Sequence, residues 1–160
     1  MTRLLPGDPA PALPAVDADG APISIDDCAG GSIILYFFPA AMTPGCTLEA
    51  LDFNAAVDQL AADGYTVIGV SPDPPAKLIR FRQTKNLHFR LAPDPEKTLA
   101  KAYGVWGVKA LYGKQVEGIL RSTFVIDIDD SRPTIRLAQY NVRSKGHVER
   151  LLRELRQAGR

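Results

Sequence analysis

One cysteine of the chain lies in the predicted first turn of a helix, a position that makes a thiol reactive. Cys46 follows Thr43 and Pro44, and a Thr-Pro pair is typical of a helix start, with threonine as the N-cap and proline as the first helical residue. Cys46 would then face free backbone N–H groups and the positive end of the helix dipole, which both favour the nucleophilic thiolate. The position predicts a reactive thiol; the alternative is a small buried apolar side chain.

The hydroxyl of Thr43 lies three residues before this thiol. It could bind the Cys46 amide as a helix cap, the Cys46 sulfur, or an oxygen atom of a substrate. The sequence leaves these three roles open.

Other cysteine chemistries fit the chain poorly. A thioredoxin-type dithiol needs a second cysteine three residues away, where the chain has Thr43 and Glu49, and a Cys-based phosphatase loop needs an arginine at position 52, which is Asp52. His88 and His147 lie in no local motif of a Cys–His nucleophile. The two histidines and two cysteines lack the spacing of a zinc site, and the two cysteines cannot form the disulfide scaffold of a secreted protein.

A strand–helix–strand unit must position Cys46. Residues 32–38 are continuously apolar, β-branched or aromatic, which predicts a strand buried on both faces. A helix follows from Thr43 to about Gly64, and residues 65–71 read as a second buried strand. Such a βαβ unit makes the two strands parallel and puts Cys46 at the carboxyl end of the first, where α/β proteins place their active sites.

The remaining pattern predicts an α/β fold around a central mixed sheet flanked by helices. The residues before 31 suggest an irregular arm with a turn at Asp19 and Gly20. The later elements are, in order, a helix beginning near Asp73, a strand at 88–91, a helix at 94–103, a loop at 104–120, a hairpin of 122–127 with 133–140, and an amphipathic helix with Val148, Leu151, Leu152 and Leu155 on one face.

The composition is that of an ordinary globular chain. The 160 residues are 46% hydrophobic and 23% charged, and we expect a single domain over residues 1–160. No apolar run approaches the roughly 18 residues of a membrane span, and the N-terminus has no signal-peptide core, so we expect a cytoplasmic protein without membrane contact.

The charge is uneven along the chain. Residues 1–80 carry 3 basic and 10 acidic side chains, whereas residues 81–160 carry 16 basic and 8 acidic ones. We interpret the basic C-terminal segment as a solvated helix face rather than a nucleic-acid interface.

Several motifs together resemble the peroxiredoxins. The pattern Pro-x-x-x-Thr-x-x-Cys at Pro39, Thr43 and Cys46 resembles their active-site motif, and the extended string to Ala50 is similar to the bacterioferritin comigratory, or Q-type, branch. The resemblance runs from about residue 5 to 155 and includes Asp94–Glu96, Lys101–Gly107, Tyr112–Lys114 and Arg121–Asp127.

This resemblance implies a thioredoxin-like fold and a thiol-dependent peroxidase that needs no cofactor or metal. Cys46 would be the peroxidatic cysteine, Thr43 its hydroxyl partner, Pro39 a shield against water and Arg121 the catalytic arginine. A thiolate that attacks a peroxide becomes a sulfenic acid, and a guanidinium can stabilise both the thiolate and the departing oxygen. Glu49 could orient the arginine or be a solvated helix carboxylate.

Two departures from this branch stand out. Many members carry a resolving cysteine five residues after the peroxidatic one, where this chain has Leu51. Cys28 could resolve only after a large backbone movement, so we expect a one-cysteine enzyme, a monomer or homodimer, that uses an external thiol: thioredoxin, glutaredoxin or a small thiol. The residues Ala40–Met42 make an apolar rim that, with Trp106 and Tyr112, could admit organic hydroperoxides, or could simply pack.

Two further functions compete with a peroxidase. One is a peroxide sensor or chaperone-like redox protein that uses the same fold with little turnover. The other is a nucleic-acid binder that uses the basic C-terminal helix.

Overall fold

The computed structural model describes residues 3–28, 31–129 and 132–157. A short 3₁₀-helix, Ile25–Cys28, precedes the first strand. The following elements are, in chain order, β1 Ser32–Phe37, α1 Pro44–Ala62, β2 Tyr65–Ser71, α2 Pro75–Thr84, β3 Arg90–Pro93, α3 Thr98–Ala102, β4 Trp106–Leu111, β5 Lys114–Ile119, β6 Ser122–Asp129, β7 Arg132–Gln139 and α4 His147–Gln157.

A five-stranded mixed sheet forms the centre of the molecule, with the order β3-β2-β1-β6-β7. Strands β1, β2 and β3 are parallel, and β6 runs antiparallel to β1. The predicted βαβ unit and the predicted mixed sheet flanked by helices are confirmed.

The strand register brings distant segments to one edge of the sheet. Phe37 at the end of β1 pairs with Ser122 at the start of β6. Arg121, directly before β6, therefore lies at the edge from which the chain leaves β1 toward α1. The end of β7 reaches the same edge, because Gln139 pairs with Thr123.

Alternate residues of β1 pack into two hydrophobic layers, as the period of a strand requires. Ile34 and Tyr36 face the layer formed with α1, α2 and α4, and that layer includes Cys46. Ile33, Leu35 and Phe37 face the layer formed with α3 and the N-terminal arm. Cys46 therefore sits on the helix-covered side of the most buried strand.

The sequence prediction of a loop over residues 104–120 is wrong. Strands β4 and β5 pair there as an antiparallel hairpin, from Trp106 opposite Ile119 to Leu111 opposite Lys114. Tyr112 and Gly113 form the tip, both with positive φ, as a two-residue hairpin turn requires. The loop prediction rested on the glycines at 104, 107, 113 and 118, but Gly107 and Gly118 lie within the two strands, Gly104 precedes β4, and only Gly113 lies in the hairpin turn.

Smaller differences concern element ends. The strand predicted at 88–91 runs over Arg90–Pro93. The helix predicted at 94–103 is confined to Thr98–Ala102, since the Asp94 carboxylate accepts hydrogen bonds from the backbone N–H groups of Leu99 and Ala100 at its start. The turn at Asp19 and Gly20 is confirmed by the bridge between Val16 and Pro22 that closes it.

Candidate active site

Cys46 occupies the predicted place in the first turn of α1. Helix α1 begins at Pro44, and Thr43 has the extended conformation of an N-cap residue, with φ −87° and ψ 156°. Cys46 is thus the third helical residue, and its side chain is only 2% exposed. The thiol faces the end of α1 where unpaired N–H groups and the helix dipole favour negative charge.

The Thr43 hydroxyl fixes the loop before α1. It donates a hydrogen bond to the carbonyl oxygen of Ala40 at 2.7 Å and makes no side-chain capping bond to the helix. Of the three roles that the sequence left open, capping of the Cys46 amide is therefore wrong.

Asp73, which the sequence indicates only as the start of a helix, anchors the same loop. Asp73 Oδ2 accepts hydrogen bonds from the backbone N–H of Ala41 at 2.7 Å and from the Ser71 hydroxyl at 2.8 Å. The signal was available, because Asp73 follows β2 at the same carboxyl edge as the end of β1. The anchor holds a turn in which Met42 adopts a left-handed φ of 69°.

Arg121 connects the thiol to a buried carboxylate. Its Nη2 donates to Cys46 Sγ at 3.4 Å, and its Nη1 donates to Glu49 Oε1 at 2.6 Å. Its backbone carbonyl accepts from the N–H of Val142 at 2.8 Å. Burial would lower the pKa of Arg121, but Glu49 and Cys46 outweigh it and raise that pKa above its ordinary value. A permanent positive charge therefore lies against the sulfur.

Glu49 is fully buried, so the solvated carboxylate considered in the sequence analysis is wrong. Burial is the main cause that raises the pKa of Glu49 to about 7; Arg121 opposes the rise and Asp52 adds to it. Glu49 lies one helical turn after Cys46, on the same face of α1, which lets one guanidinium reach both side chains.

The glycine before the thiol leaves room for this arrangement. A Cβ atom on Gly45 would lie 3.3 Å from Arg121 Nη2 and 3.2 Å from the hydroxyl oxygen of Ser144. A side chain at position 45 would therefore crowd the arginine against the sulfur that it contacts.

The other residues singled out from the sequence have different surroundings. Pro39 is half-buried directly after Phe38, at the end of β1, and a proline there presents no N–H to the site. Trp106 donates to Glu117 within the β4–β5 hairpin, and Tyr112 is exposed at the hairpin tip. Neither of these observations involves Cys46, so the suggested part of Trp106 and Tyr112 in an apolar rim stays a prediction.

Cys28 lies at the opposite edge of the sheet. It precedes β1, whereas Cys46 follows it, and its Sγ is 3.7 Å from the Thr66 hydroxyl oxygen. The 6 residues of β1 span about 20 Å at roughly 3.3 Å per residue. Both cysteines are free thiols.

Within residues 3–28, 31–129 and 132–157, no three or more His, Cys, Asp or Glu side chains are grouped as a metal ion would require. In the same part of the chain, no helix combines the length and the apolar character needed to cross a bilayer.

Comparison with known proteins identifies the family of the chain. The model of the AhpC/TSA family matches residues 6–131. The chain belongs to the AhpC/TSA family. Its members named as peroxiredoxins include a Mycobacterium tuberculosis protein that is 48% identical over 154 residues, 96% of each chain. The Escherichia coli peroxiredoxin Bcp is 40% identical over 129 residues, 81% of this chain and 83% of that one.

A solved structure agrees with these relatives. The bacterioferritin comigratory protein of Xanthomonas campestris is 32% identical, superposes with a TM-score of 0.81 and covers 92% of each chain. The predicted resemblance to the bacterioferritin comigratory branch and the predicted thioredoxin-like fold are confirmed. Peroxiredoxins are thiol-dependent peroxidases, and the chain is an enzyme of this kind.

Proposed function

We propose that Cys46 is the nucleophile of this peroxidase and that Arg121 is the group that activates it. The observation that carries the proposal is the two-sided contact of Arg121, with Nη2 at 3.4 Å from the sulfur and Nη1 at 2.6 Å from the buried Glu49. A guanidinium fixed in this way is a preorganised donor, so its positive charge need not reorient as charge develops on the reacting atoms.

The reaction step follows from this geometry. The Cys46 thiolate attacks the terminal oxygen of a hydroperoxide ROOH, an S–O bond forms and the O–O bond breaks. Sulfur is oxidised by two electrons to the sulfenic acid Cys46–SOH, and the peroxide is reduced to RO⁻, which takes up a proton to give ROH. Arg121 stabilises the thiolate before the step and the negative charge on RO⁻ during it.

The sulfenic acid is resolved by a thiol from outside the chain. Cys28 lies about one strand length away, at the far edge of the sheet, and Leu51 occupies the position on α1 where many members have their resolving cysteine. An external thiol R′SH condenses with Cys46–SOH to a mixed disulfide and water, and a second thiol releases Cys46 with formation of R′SSR′. Thioredoxin, glutaredoxin and small thiols are the candidate donors.

Mass spectrometry after one equivalent of hydrogen peroxide tests this proposal. We expect the mass to rise by about one oxygen atom at Cys46, trappable by a sulfenic-acid reagent, because no second thiol is within reach. Cys46→Ser should lose essentially all peroxide reduction, whereas Cys28→Ser, the matched control, should keep most of it. Loss of two hydrogens with a Cys28–Cys46 linked peptide would disprove the one-cysteine mechanism.

We also infer that organic hydroperoxides are substrates. The loop before Cys46 carries only apolar side chains over Ala40–Met42, and Met42 is 43% exposed, which makes the loop beside the thiol apolar. The Xanthomonas campestris relative is described by its alkyl peroxide reduction activity. An apolar rim would bind the R group of an alkyl hydroperoxide, whereas hydrogen peroxide has no apolar group to bury there.

Met42→Asn tests the rim, since asparagine tolerates the left-handed backbone of that position better than other polar residues. We expect the rate with cumene hydroperoxide to fall severalfold more than the rate with hydrogen peroxide. Val108→Asn changes a more exposed apolar residue on β4 and is the control. An equal fall with both peroxides would contradict the role of the rim.

The same assays separate a peroxidase from a sensor or chaperone-like protein. Sustained consumption of peroxide with any of the candidate thiols supports the peroxidase. Oxidation of Cys46 that no thiol donor reverses would support the sensor.

A further inference from the structure

A buried histidine lies behind the arginine–glutamate pair. His147, the first residue of α4, is 1% exposed, and its Nε2 is 2.8 Å from the hydroxyl oxygen of Thr123. Thr123 is itself fully buried on β6, two residues after Arg121 and directly opposite Tyr36 on β1. The ring of Phe53 on α1 packs edge-on against the imidazole. The imidazole is therefore fixed from three elements of the fold.

Glu49 needs a contact that Arg121 does not provide. Arg121 binds only Oε1, and Oε2 is buried with no hydrogen-bond partner among the described residues. His147 Nε2 is 4.0 Å from this oxygen. A carboxylate held through one oxygen can turn about its last bond, and a buried oxygen without a partner is costly.

The imidazole that meets Oε2 is neutral. Burial is the main cause that lowers the pKa of His147 to about 4, with Arg150 and Arg121 adding to the effect. The contact is therefore not an ion pair at neutral pH. When the proton is on Nε2, this N–H donates to the Thr123 hydroxyl oxygen and also turns its positive end toward Glu49. When the proton is on Nδ1, the lone pair of Nε2 would face the carboxylate instead.

We propose that His147, fixed by Thr123, is a positioning residue of the peroxidase that restrains the free oxygen of Glu49 and so holds Arg121 against Cys46. The guanidinium is rigid, and its two terminal nitrogens contact Glu49 and Cys46 respectively. A shift of the Glu49 carboxylate is therefore passed on to the contact between Nη2 and the sulfur. The inference rests on the proposed roles of Cys46 and Arg121.

The test compares an apolar variant with a donor-bearing one. His147→Leu keeps the approximate volume and removes the N–H, whereas His147→Gln places an amide N–H near the position of Nε2. We expect the second-order rate constant for peroxide to fall about 10-fold in His147→Leu, since a displacement of about 1 Å can cost up to 10²-fold. His147→Gln should recover most of this loss. His88→Gln changes the exposed histidine and should leave the rate constant unchanged.

The pH profile separates positioning from a purely structural role. The charged and titratable groups that face this pair are Arg121, Arg150, Asp52, Tyr36 and Cys46. In His147→Leu the Glu49 carboxylate loses the dipole that favours its charged form. The acid limb of the rate profile, where Glu49 becomes protonated, should therefore move to higher pH, and His147→Gln should restore it.

Each result decides between the alternatives. A wild-type rate constant and pH profile in His147→Leu would overturn the positioning role, and so would a His147→Gln variant as slow as His147→Leu. If His147→Leu does not fold, Thr123→Val provides the test, because it frees the imidazole without removing it. We expect the rate constant of Thr123→Val to fall less than that of His147→Leu and the acid limb of its pH profile to shift in the same direction. An unchanged pH profile refutes the proposal. If wild-type Cys46 is not oxidised by peroxide, the proposed function fails instead.

Discussion

Removal of the Arg121 side chain should separate catalysis from folding. Arg121→Ala deletes the contact with Cys46 Sγ at 3.4 Å and the contact with Glu49 Oε1 at 2.6 Å. The backbone of Arg121 still accepts from Val142, and β6 still pairs with β1, so the sheet should remain intact.

The magnitude of the effect on rate follows from the charge geometry. A guanidinium at 3.4 Å from a thiolate is attracted by about 5 kcal/mol at an effective dielectric constant of about 20. Water that enters the space of the side chain replaces part of this attraction. The loss of one preorganised charged donor usually costs about 2.7–4 kcal/mol, so the rate constant with hydrogen peroxide should fall roughly 10²–10³-fold.

The loss of stability should be moderate. Breaking a buried ion pair by removing one partner costs about 3–5 kcal/mol when the other charge stays uncompensated. Glu49 avoids the full cost because its pKa is already raised to about 7 and rises further without Arg121, so that the carboxyl group becomes neutral. We therefore expect a smaller loss of the free energy of unfolding below pH 7 than above it.

The assay combines competition kinetics for hydrogen peroxide with urea unfolding at two pH values. Arg121→Lys keeps the charge, but one ammonium group cannot bridge Glu49 and Cys46 as a fork does, so its rate constant should be intermediate. Arg82→Ala breaks the pair with Asp19 on the surface and should react with peroxide at the wild-type rate. A rate constant within about threefold of wild type in Arg121→Ala would refute the reasoning, given the 10²–10³-fold loss expected.

Three further predictions concern the supports of the site. The contribution of Glu49 to stability is full below about pH 4.5 and is lost as the pH rises through about 7, whereas that of His147 is full above about pH 6.5 and is lost as the pH falls through about 4. Glu49→Gln leaves only the His147 contribution, so between pH 5 and 6 its free energy of unfolding in urea should rise with pH by about 1.4 kcal/mol per pH unit. His147→Gln leaves only the Glu49 contribution, so its free energy of unfolding should fall by about 1.4 kcal/mol per pH unit over the same range. Slopes of the same sign in the two variants would contradict the assignment. Gly69→Ala should lower the free energy of unfolding by about 1–3 kcal/mol, because the added methyl group would lie 2.9 Å from the ring of Tyr36. A variant as stable as wild type would show that the hydrophobic layer around Tyr36 rearranges at no cost in stability. Asp73→Ala should cost about 1–3 kcal/mol and slow peroxide reduction, since it leaves the N–H of Ala41 unpaired in the loop before Cys46, and an unchanged rate would show that the loop needs no anchor.

Local features of the chain were sufficient to predict the unit that carries the thiol. The apolar run of β1, the Thr-Pro helix start and Cys46 after it are contiguous, so their relation depends on backbone preferences within about 15 residues. The parallel pairing of β1 with β2 also followed from order along the chain, because short connections through a helix leave few other arrangements. The β4–β5 hairpin did not follow, since glycines in a strand look like glycines in a loop until the partner strand is seen.

Only the tertiary structure decided which side chains surround the thiol. Spacing alone did not distinguish Arg121 from a surface charge at a strand edge; its place beside Cys46 comes from the pairing of Phe37 with Ser122 across the sheet. Glu49 became a partner of that arginine because α1 packs its face onto the sheet, and His147 reaches Glu49 through the docking of α4. These contacts join segments far apart in sequence, and the free energy that forms them comes from burial of the apolar layers, which no local pattern encodes.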